Sequence, residues 1–138
     1  MTRRVVDPEK LFRRVVGGHK LYAYAQAVGG GELLFISGLL SRDGDGAVVG
    51  QGDMGAQIAQ IGRNLEIILA AAGGGLADLV KTTTFVTDID EFFRHADVRM
   101  RYFGPGLPAS TTVEVRRLSH PDFLVEIEAV AHLPGQGN

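Results

Sequence analysis

Two carboxylates near the end of the chain are the strongest candidates for chemistry. Glu126 and Glu128 are two residues apart in a segment that alternates apolar and polar residues, VEIEA at positions 125–129. On a strand both side chains therefore project to the same side, with Cβ atoms about 7 Å apart. Either could act as a general acid or base in a desolvating cleft, because burial shifts a carboxyl pKa toward neutrality. The alternative is a solvated or ion-paired strand face, with one of the two glutamates opposite an arginine of the neighbouring strand.

The sequence offers little for a metal ion. Asp43 and Asp45 resemble the start of a calcium loop, but no glutamate closes the loop at its twelfth position, so a hairpin turn is the preferred interpretation. The chain has no cysteine, which excludes thiol catalysis and disulfides. The four histidines, at positions 19, 95, 120 and 132, show none of the HxH, HxxxH or HExxH spacings of metal sites. We therefore expect no metal site.

A second group of residues could hold an anion. Ser37 and Gly38 close a predicted strand and Arg42 follows shortly after, so backbone amides and one guanidinium could converge on a negatively charged ligand. Tyr24 lies within an earlier predicted strand, where its hydroxyl could reach a pocket while its ring packs. The alternative for Ser37, Gly38 and Arg42 is an ordinary strand end without a ligand. The alternative for Tyr24 is packing in the core or at an interface.

Hydrophobic periodicity predicts the helices that must support these residues. Asp53 is a suitable N-cap for a helix that starts at residue 54, and Gly73 can adopt the left-handed conformation that ends it. A second helix is predicted over residues 91–103, with a capping turn at 88–90. One side of this second helix carries Phe92, Ala96, Arg99 and Phe103. The first helix has an apolar stripe at helical spacing: Ile58, Ile61, Leu65, Ile68, Leu69 and Ala72.

The remaining segments read as strands. Residues 21–28 and 32–38 are predicted to form a hairpin through three glycines, and further strands are predicted at 79–87, 111–118 and 123–132. This order predicts an α+β fold in which a mixed β-sheet carries two helices on one face. The other face of the sheet needs cover, which a second subunit could supply.

Length and charge narrow the class of protein. The chain has 138 residues, which one hydrophobic core can fill, so residues 1–138 are expected to form a single domain. The basic N-terminus lacks the apolar stretch of a secretory signal, and no segment approaches the roughly 20 apolar residues of a membrane span, which predicts a soluble cytoplasmic protein. A net charge of −2 argues against nucleic acid as a partner.

Taken together, several segments resemble the RidA/YjgF family, whose members have also been named L-PSP endoribonucleases or translation inhibitors. The resemblance runs from about residue 24 to residue 131, in the family's order. The segments that carry it are YAQA at 24–27, LFISG at 34–38, VKTTTFVTD at 80–88, YF at 102–103, TVEV at 112–115 and VEIEA at 125–129.

The resemblance implies a chorismate-mutase-like α+β fold and a homotrimer whose sheets form a central barrel with clefts between the subunits. Active RidA proteins hydrolyse reactive enamines and imines, such as 2-aminoacrylate and its imine tautomer, to 2-keto acids and ammonia without a cofactor. An arginine on the strand after the proline-rich loop binds the substrate carboxylate with both guanidinium nitrogens. A glutamate on the last strand activates the attacking water, while a tyrosine, an asparagine and a Ser-Gly backbone complete the cleft.

Position by position, the resemblance assigns three parts of this site. Glu126 matches the water-activating glutamate, Tyr24 matches the pocket tyrosine, and Ser37 with Gly38 matches the strand-end pair.

Two positions depart from the family. The segment PAST at 108–111 stands where the family has PARS, so Ser110 occupies the position of the carboxylate-binding arginine, and Ala96 occupies that of the helical asparagine. Arg116 is six residues further along the strand from Ser110, about 20 Å away, which is too far for one side chain to compensate. Arg42 is the better candidate to supply the charge.

The sequence thus predicts a RidA-like protein that binds a small anionic metabolite in clefts between subunits. As an imine or enamine hydrolase, it would use Glu126 to activate water, Tyr24 and Ser110 to hydrogen-bond the substrate, the Gly38 amide to fix it and Arg42 to contribute charge. Since a serine cannot form the bidentate contact, efficient deamination of 2-aminoacrylate is not expected. The alternatives are a non-catalytic ligand-binding or regulatory member and, with less support at this net charge, an endoribonuclease.

Overall fold

The first part of the chain forms two short antiparallel ribbons. The structure, a computed structural model, describes residues 2–10, 12 and 15–134. β1 (Thr2–Val6) pairs with β4 (Ala25–Gly29), and β2 (Val15–Val16) pairs with β3 (His19–Lys20). The predicted hairpin between residues 21–28 and 32–38 is therefore wrong. The strand after the glycines joins a different sheet, and Gly30 and Gly31 redirect the chain with φ angles of 69° and 68°.

A four-stranded mixed sheet forms the centre of the molecule. Its strands lie in the order β5-β8-β6-β7, with β6 and β7 parallel and β8 antiparallel to both of its neighbours. β5 and β7 are therefore the two edges of this sheet, and β8 is one of its two central strands. The four strands are β5 (Glu32–Leu39), β6 (Leu79–Val86), β7 (Ala109–Glu114) and β8 (Val125–Leu133).

The helices cover one face of this sheet, and the α+β class is confirmed. α1 (Met54–Ala71) has the predicted N-cap, since the Asp53 carboxylate accepts a hydrogen bond of 3.0 Å from the amide of Ala56. Gly73 follows the end of α1 with a φ of 86°, as predicted. Among the described residues, no helix is long and apolar enough to cross a membrane.

The predicted second helix is in fact two helices, α2 (Ile89–Phe93) and α3 (Ala96–Phe103). The amides of Arg94 and His95 donate to carbonyls three residues back, which closes α2 in a tight final turn. The side chains of the same two residues bind the Glu91 carboxylate at 2.6 and 2.9 Å. These hydrogen bonds, from His95 first and then Arg94, hold the pKa of Glu91 below its usual value. The break lies at Arg94 and His95: the backbone of His95, with φ −106° and ψ 32°, leaves the helical conformation although the hydrophobic periodicity continues.

The side chains of β8 alternate between the helices and the opposite side of the sheet. Val125, Ile127, Ala129 and Ala131 are buried against the helices, whereas Glu126 and Glu128 project from the other side. We call this other side the open face, because no helix covers it. Its apolar side chains are Leu33, Phe35, Phe85, Val113 and Val130, of which Phe35 is 74% exposed.

Gln57 on α1 fixes the segment that leads into β8. Its side chain is fully buried and makes three hydrogen bonds to backbone groups. The amide nitrogen donates to the carbonyl oxygens of Gly50 at 3.0 Å and Asp122 at 2.8 Å, and the amide oxygen accepts from the nitrogen of Leu124 at 2.9 Å. α1 therefore sets the point at which β8 begins.

We expect Gln57→Leu to lower the free energy of unfolding by about 1–3 kcal/mol, because it leaves three buried backbone groups without their partner. Urea denaturation followed by circular dichroism measures the change. Gln60→Leu, on the same helix, is the control: the Gln60 side chain is half-buried and its hydrogen bond to the Arg42 carbonyl is exposed, so the loss should be smaller. Equal losses for the two variants would contradict the role assigned to Gln57.

Candidate functional site

The strand-end pair and the candidate catalytic glutamate lie side by side. β5 has a register irregularity between Ile36 and Leu39, which takes Ser37 and Gly38 out of regular pairing with β8. The Glu126 carboxylate occupies the space next to the Gly38 backbone, where a Cβ at residue 38 would collide with Oε2. Glycine is therefore required at position 38 for this carboxylate to stay where it is. We call Ser37, Gly38 and Glu126 the glutamate cluster.

Glu126 and Glu128 share one side of the sheet, as their spacing predicted. Both line an open pocket on the open face, together with Phe85, Arg117 and Ser119. In the part of the chain that the structure describes, neither glutamate forms an ion pair. Glu128 is exposed, as on a solvated strand face, whereas Glu126 is half-buried. Both carboxylates remain available to a ligand on this face.

Arg42 is close to the glutamate cluster but is held by its own loop. Its guanidinium donates to the carbonyl oxygen of Gly46 at 2.8 Å and lies 4.7 Å from the centroid of the Phe123 ring. Arg42 and Gly38 line one groove. The loop itself is the predicted hairpin turn, in which the Asp43 carboxylate accepts hydrogen bonds from two backbone amides of the turn.

Ser110 lies on the edge strand β7, on the side of the sheet that faces the helices. Its hydroxyl is 3.2 Å from Nη2 of Arg99, a residue of α3. The guanidinium of Arg99 also donates to the carbonyl oxygen of Leu21 at 3.4 Å and lies 5.3 Å from the centroid of the Phe92 ring. Beside them is a pocket of about 190 Å³, lined by Leu21, Tyr22, Phe93, Arg99, Ser110 and Thr112.

Tyr24 is a neighbour of this pocket. Its ring packs edge-on against that of Tyr22, with centroids 5.4 Å apart, and its hydroxyl donates to the backbone oxygen of Phe12. The backbone at Ala23 bonds to the carbonyl oxygen of Pro108, which keeps this segment beside the start of β7. We call Tyr22, Tyr24, Arg99, Ser110 and Thr112 the serine cluster. Ala96, at the predicted asparagine position, is buried and brings no polar group to the site.

Within one chain the two clusters are far apart. Ser110 aligns across the sheet with Thr82 and Ala129, while Glu126 is three residues along β8 from Ala129 and two strands away from Ser110. Strand geometry puts the Cα atoms of Ser110 and Glu126 about 14 Å apart. Their side chains also project from opposite faces of the sheet. A single chain therefore does not bring both clusters around one small molecule.

The structure adds Arg99 to the residues that the sequence singled out. The periodicity of the second predicted helix placed it among Phe92, Ala96 and Phe103, on the side that faces the core. A charged residue is rarely buried unless hydrogen bonds or opposite charges compensate it, so an arginine on an apolar helix face was the signal. Arg99 is in fact 7% exposed.

The structure adds no cluster suited to a metal. Over residues 2–10, 12 and 15–134, no three His, Cys, Asp or Glu side chains are grouped so that they could hold an ion.

Comparisons with known proteins indicate the family to which this chain belongs. The sequence model of the family described as Endoribonuclease L-PSP matches residues 19–133. A RutC family protein of Pyrococcus horikoshii is 39% identical over 109 residues, which cover 79% of this chain and 86% of the relative. The 3-aminoacrylate deaminase RutC of Acinetobacter baylyi is 34% identical over 113 residues, which cover 82% of this chain and 89% of the relative.

A solved structure agrees with these matches. The Rid family protein YyfB of Yersinia pestis, described as a protein of unknown function, superposes with a TM-score of 0.83 at 29% sequence identity. The match covers 96% of this chain and all of that one. The segments noted in the sequence, the fold and the relatives all agree, and the chain belongs to the RidA/YjgF family.

Proposed function

We propose that this protein binds a small anionic metabolite in clefts between subunits of a homotrimer and hydrolyses an imine or enamine there to a carbonyl compound and ammonia. The observation that carries the proposal is the Glu126 carboxylate, which lies beside Gly38 on the open face with no ion-pair partner among the described residues. A carboxylate in that position is free to bind and orient water. The name of one relative, 3-aminoacrylate deaminase, supports enamine hydrolysis as the reaction class.

The proposed reaction needs only a base and hydrogen-bond donors. An enamine first tautomerises to an imine, gaining a proton on carbon and losing one from nitrogen. Glu126 then accepts a proton from a water molecule as its oxygen attacks the imine carbon, which forms a carbinolamine. The carboxyl group returns that proton to the nitrogen. The carboxylate then removes the hydroxyl proton of the carbinolamine and delivers it to the nitrogen as the carbon–nitrogen bond breaks, so that ammonia leaves and the carbonyl forms. The reaction involves no oxidation or reduction, and water is the sole co-reactant.

The separation of the two clusters supports a cleft shared between subunits. Because Ser110 is on one edge strand and Gly38 is on the other, a neighbouring copy could bring its glutamate cluster to the serine cluster of the first. The open face offers a reason to associate, since it exposes Phe35, Leu33 and Val113 to water. We propose the trimer, rather than another assembly, because it is the one that the family resemblance implies.

We expect hydrolysis to depend on what the substrate offers to the serine cluster. Without an arginine at position 110, turnover of 2-iminopropanoate should be at least about tenfold slower than by an authentic RidA measured in parallel, because a bidentate charged contact contributes about 1.5 kcal/mol or more. Ammonia release from purified protein, assayed with 2-iminopropanoate, 3-aminoacrylate and 2-imino-4-methylpentanoate, measures this. Turnover of the first compound at the RidA rate would refute the expectation. No turnover of any of the three would favour a non-catalytic binding protein.

On the substrate with the highest turnover, we expect Glu126→Gln to lower kcat about 10²–10⁴-fold, because glutamine cannot accept a proton from water. Gly38→Ala should also lower kcat, since its methyl group displaces the Glu126 carboxylate. Gly75→Ala is the matched control, because a Cβ there meets no atom within 4 Å. Full activity in Glu126→Gln would rule out the assigned base.

The assembly has its own test. We expect the wild-type protein to have a mass in solution three times that of the 14.8 kDa chain, measured by light scattering after size exclusion. Phe35→Glu should shift the mass to that of a single chain, because it places a charge on the apolar part of the open face. Val5→Glu changes an exposed valine on β1 and should leave the mass unchanged. A monomeric wild type with full activity would contradict the shared cleft.

A further inference from the structure

We infer that Arg99, on helix α3, supplies the guanidinium that binds the anionic group of the ligand, at the place where the family resemblance calls for an arginine at position 110. This inference rests on the proposed function, because it takes the pocket beside Ser110 as part of the ligand cleft. It names a different residue from Arg42, the one that the sequence favoured. In this chain the anion-binding guanidinium would thus come from helix α3, whereas the family resemblance implies one from strand β7.

The first observation is where the side chain of Arg99 ends. It starts on α3 and reaches the edge strand, where Nη2 is 3.2 Å from Oγ of Ser110. Both residues line the pocket beside β7. The guanidinium of Arg99 is therefore next to the backbone position from which an arginine at residue 110 would have extended.

The second observation is how firmly the guanidinium is held. The residue is 7% exposed, its head lies over the Phe92 ring at 5.3 Å, and Leu21 accepts a hydrogen bond from it. Phe92 itself is buried in the core at 1% exposure. A planar cation that is already stacked and oriented loses little conformational entropy when an anion binds. This support is typical of a binding group more than of a solvated surface charge.

The third observation is the chemistry of the pocket wall. The Ser110 hydroxyl lies next to the guanidinium and the Thr112 hydroxyl lines the same pocket, and both can donate to an anion. Arg99 is the charged residue among the described residues that line this pocket. Leu21, Tyr22 and Phe93 complete the wall with apolar surface, which weakens the screening of the charge by water. The combination suits a carboxylate attached to a small organic group.

The identities of residues 99 and 110 are complementary. A serine at position 110 is short enough to leave room for a guanidinium that arrives from α3. Two arginines there would bring like charges within a few Å of each other, which is unfavourable in a partly buried site. The site thus retains one guanidinium, but the direction from which it meets the carboxylate differs from that of a strand arginine. Anion binding and slow turnover of 2-iminopropanoate are therefore compatible.

The inference can be tested on the wild-type protein by nuclear magnetic resonance of arginine Nε–H groups. Pyruvate is the probe, and its amide, pyruvamide, is the neutral control. We expect pyruvate to shift the Nε–H signal of Arg99, assigned with Arg99→Lys, and to leave that of Arg101 in place. Pyruvamide at the same concentration should shift neither. Pyruvate that leaves the Arg99 signal unmoved would overturn the inference.

Variants extend the test to affinity. By isothermal titration, we expect Arg99→Met to weaken pyruvate binding at least about tenfold, and Arg99→Lys to weaken it less because the charge remains. Arg101→Met, at an exposed position of the same helix, should bind like the wild type. Circular dichroism and solution mass confirm that each variant is folded and assembled. Wild-type affinity in a folded Arg99→Met overturns the inference.

The binding and activity measurements distinguish a failure of this inference from a failure of the proposed function. If the wild type hydrolyses an imine and Arg99→Met does so with an unchanged KM, the inference is wrong and the proposed function stands. If pyruvate binds through Arg99 but no imine in the panel is hydrolysed, the proposed reaction is wrong and the anion site stands.

Discussion

The alternation of side chains along β8 is the constraint on which the rest of the structure depends. β8 is a central strand, with Ile127 and Ala129 buried against the helices and Glu126 projecting from the open face. A slip of one residue would bury two glutamates and expose the apolar side chains that now fill the core, so the register is strongly specified. Gln57 reinforces that register by binding the backbone of Asp122 and Leu124, in the segment that leads into β8. The core and the candidate base are thus fixed by the same interaction.

The same geometry keeps the glutamate cluster and the serine cluster apart within one chain. Ser110 and Thr112 on β7 face the helices, whereas Glu126 faces away from them, and β7 and β5 are at opposite edges of the sheet. Residues separated by a sheet cannot contact one small molecule. Any reaction that uses both clusters must therefore draw them from different copies. In that arrangement the apolar open face and the divided site depend on the same association.

Local patterns predicted the elements that local interactions determine. The caps of α1 at Asp53 and Gly73, the hairpin turn at Asp43 and the shared side of Glu126 and Glu128 all follow from residues close in sequence, and the structure confirms them. The hairpin between residues 21–28 and 32–38 failed because its first strand pairs with the distant β1. The break between α2 and α3 was missed because it is a change of backbone conformation at His95, across which the hydrophobic spacing continues.

Arg99 shows why a site cannot be read from aligned motifs alone. Sequence comparison assigns the anion-binding role to position 110, but what a ligand meets is a guanidinium at a point in space, and that point can be reached from a strand or from a helix. Position 99 shows only that a charged residue shares a helix face with Phe92 and Phe103. Its contact with Ser110 joins α3 to β7 through one long side chain in the folded protein, which no local pattern encodes. Because Phe92 belongs to the core and also supports the guanidinium, changes in helix packing should alter anion binding while leaving Glu126 beside Gly38. The two halves of the site thus depend on different layers of the fold, one on the helices and one on the sheet.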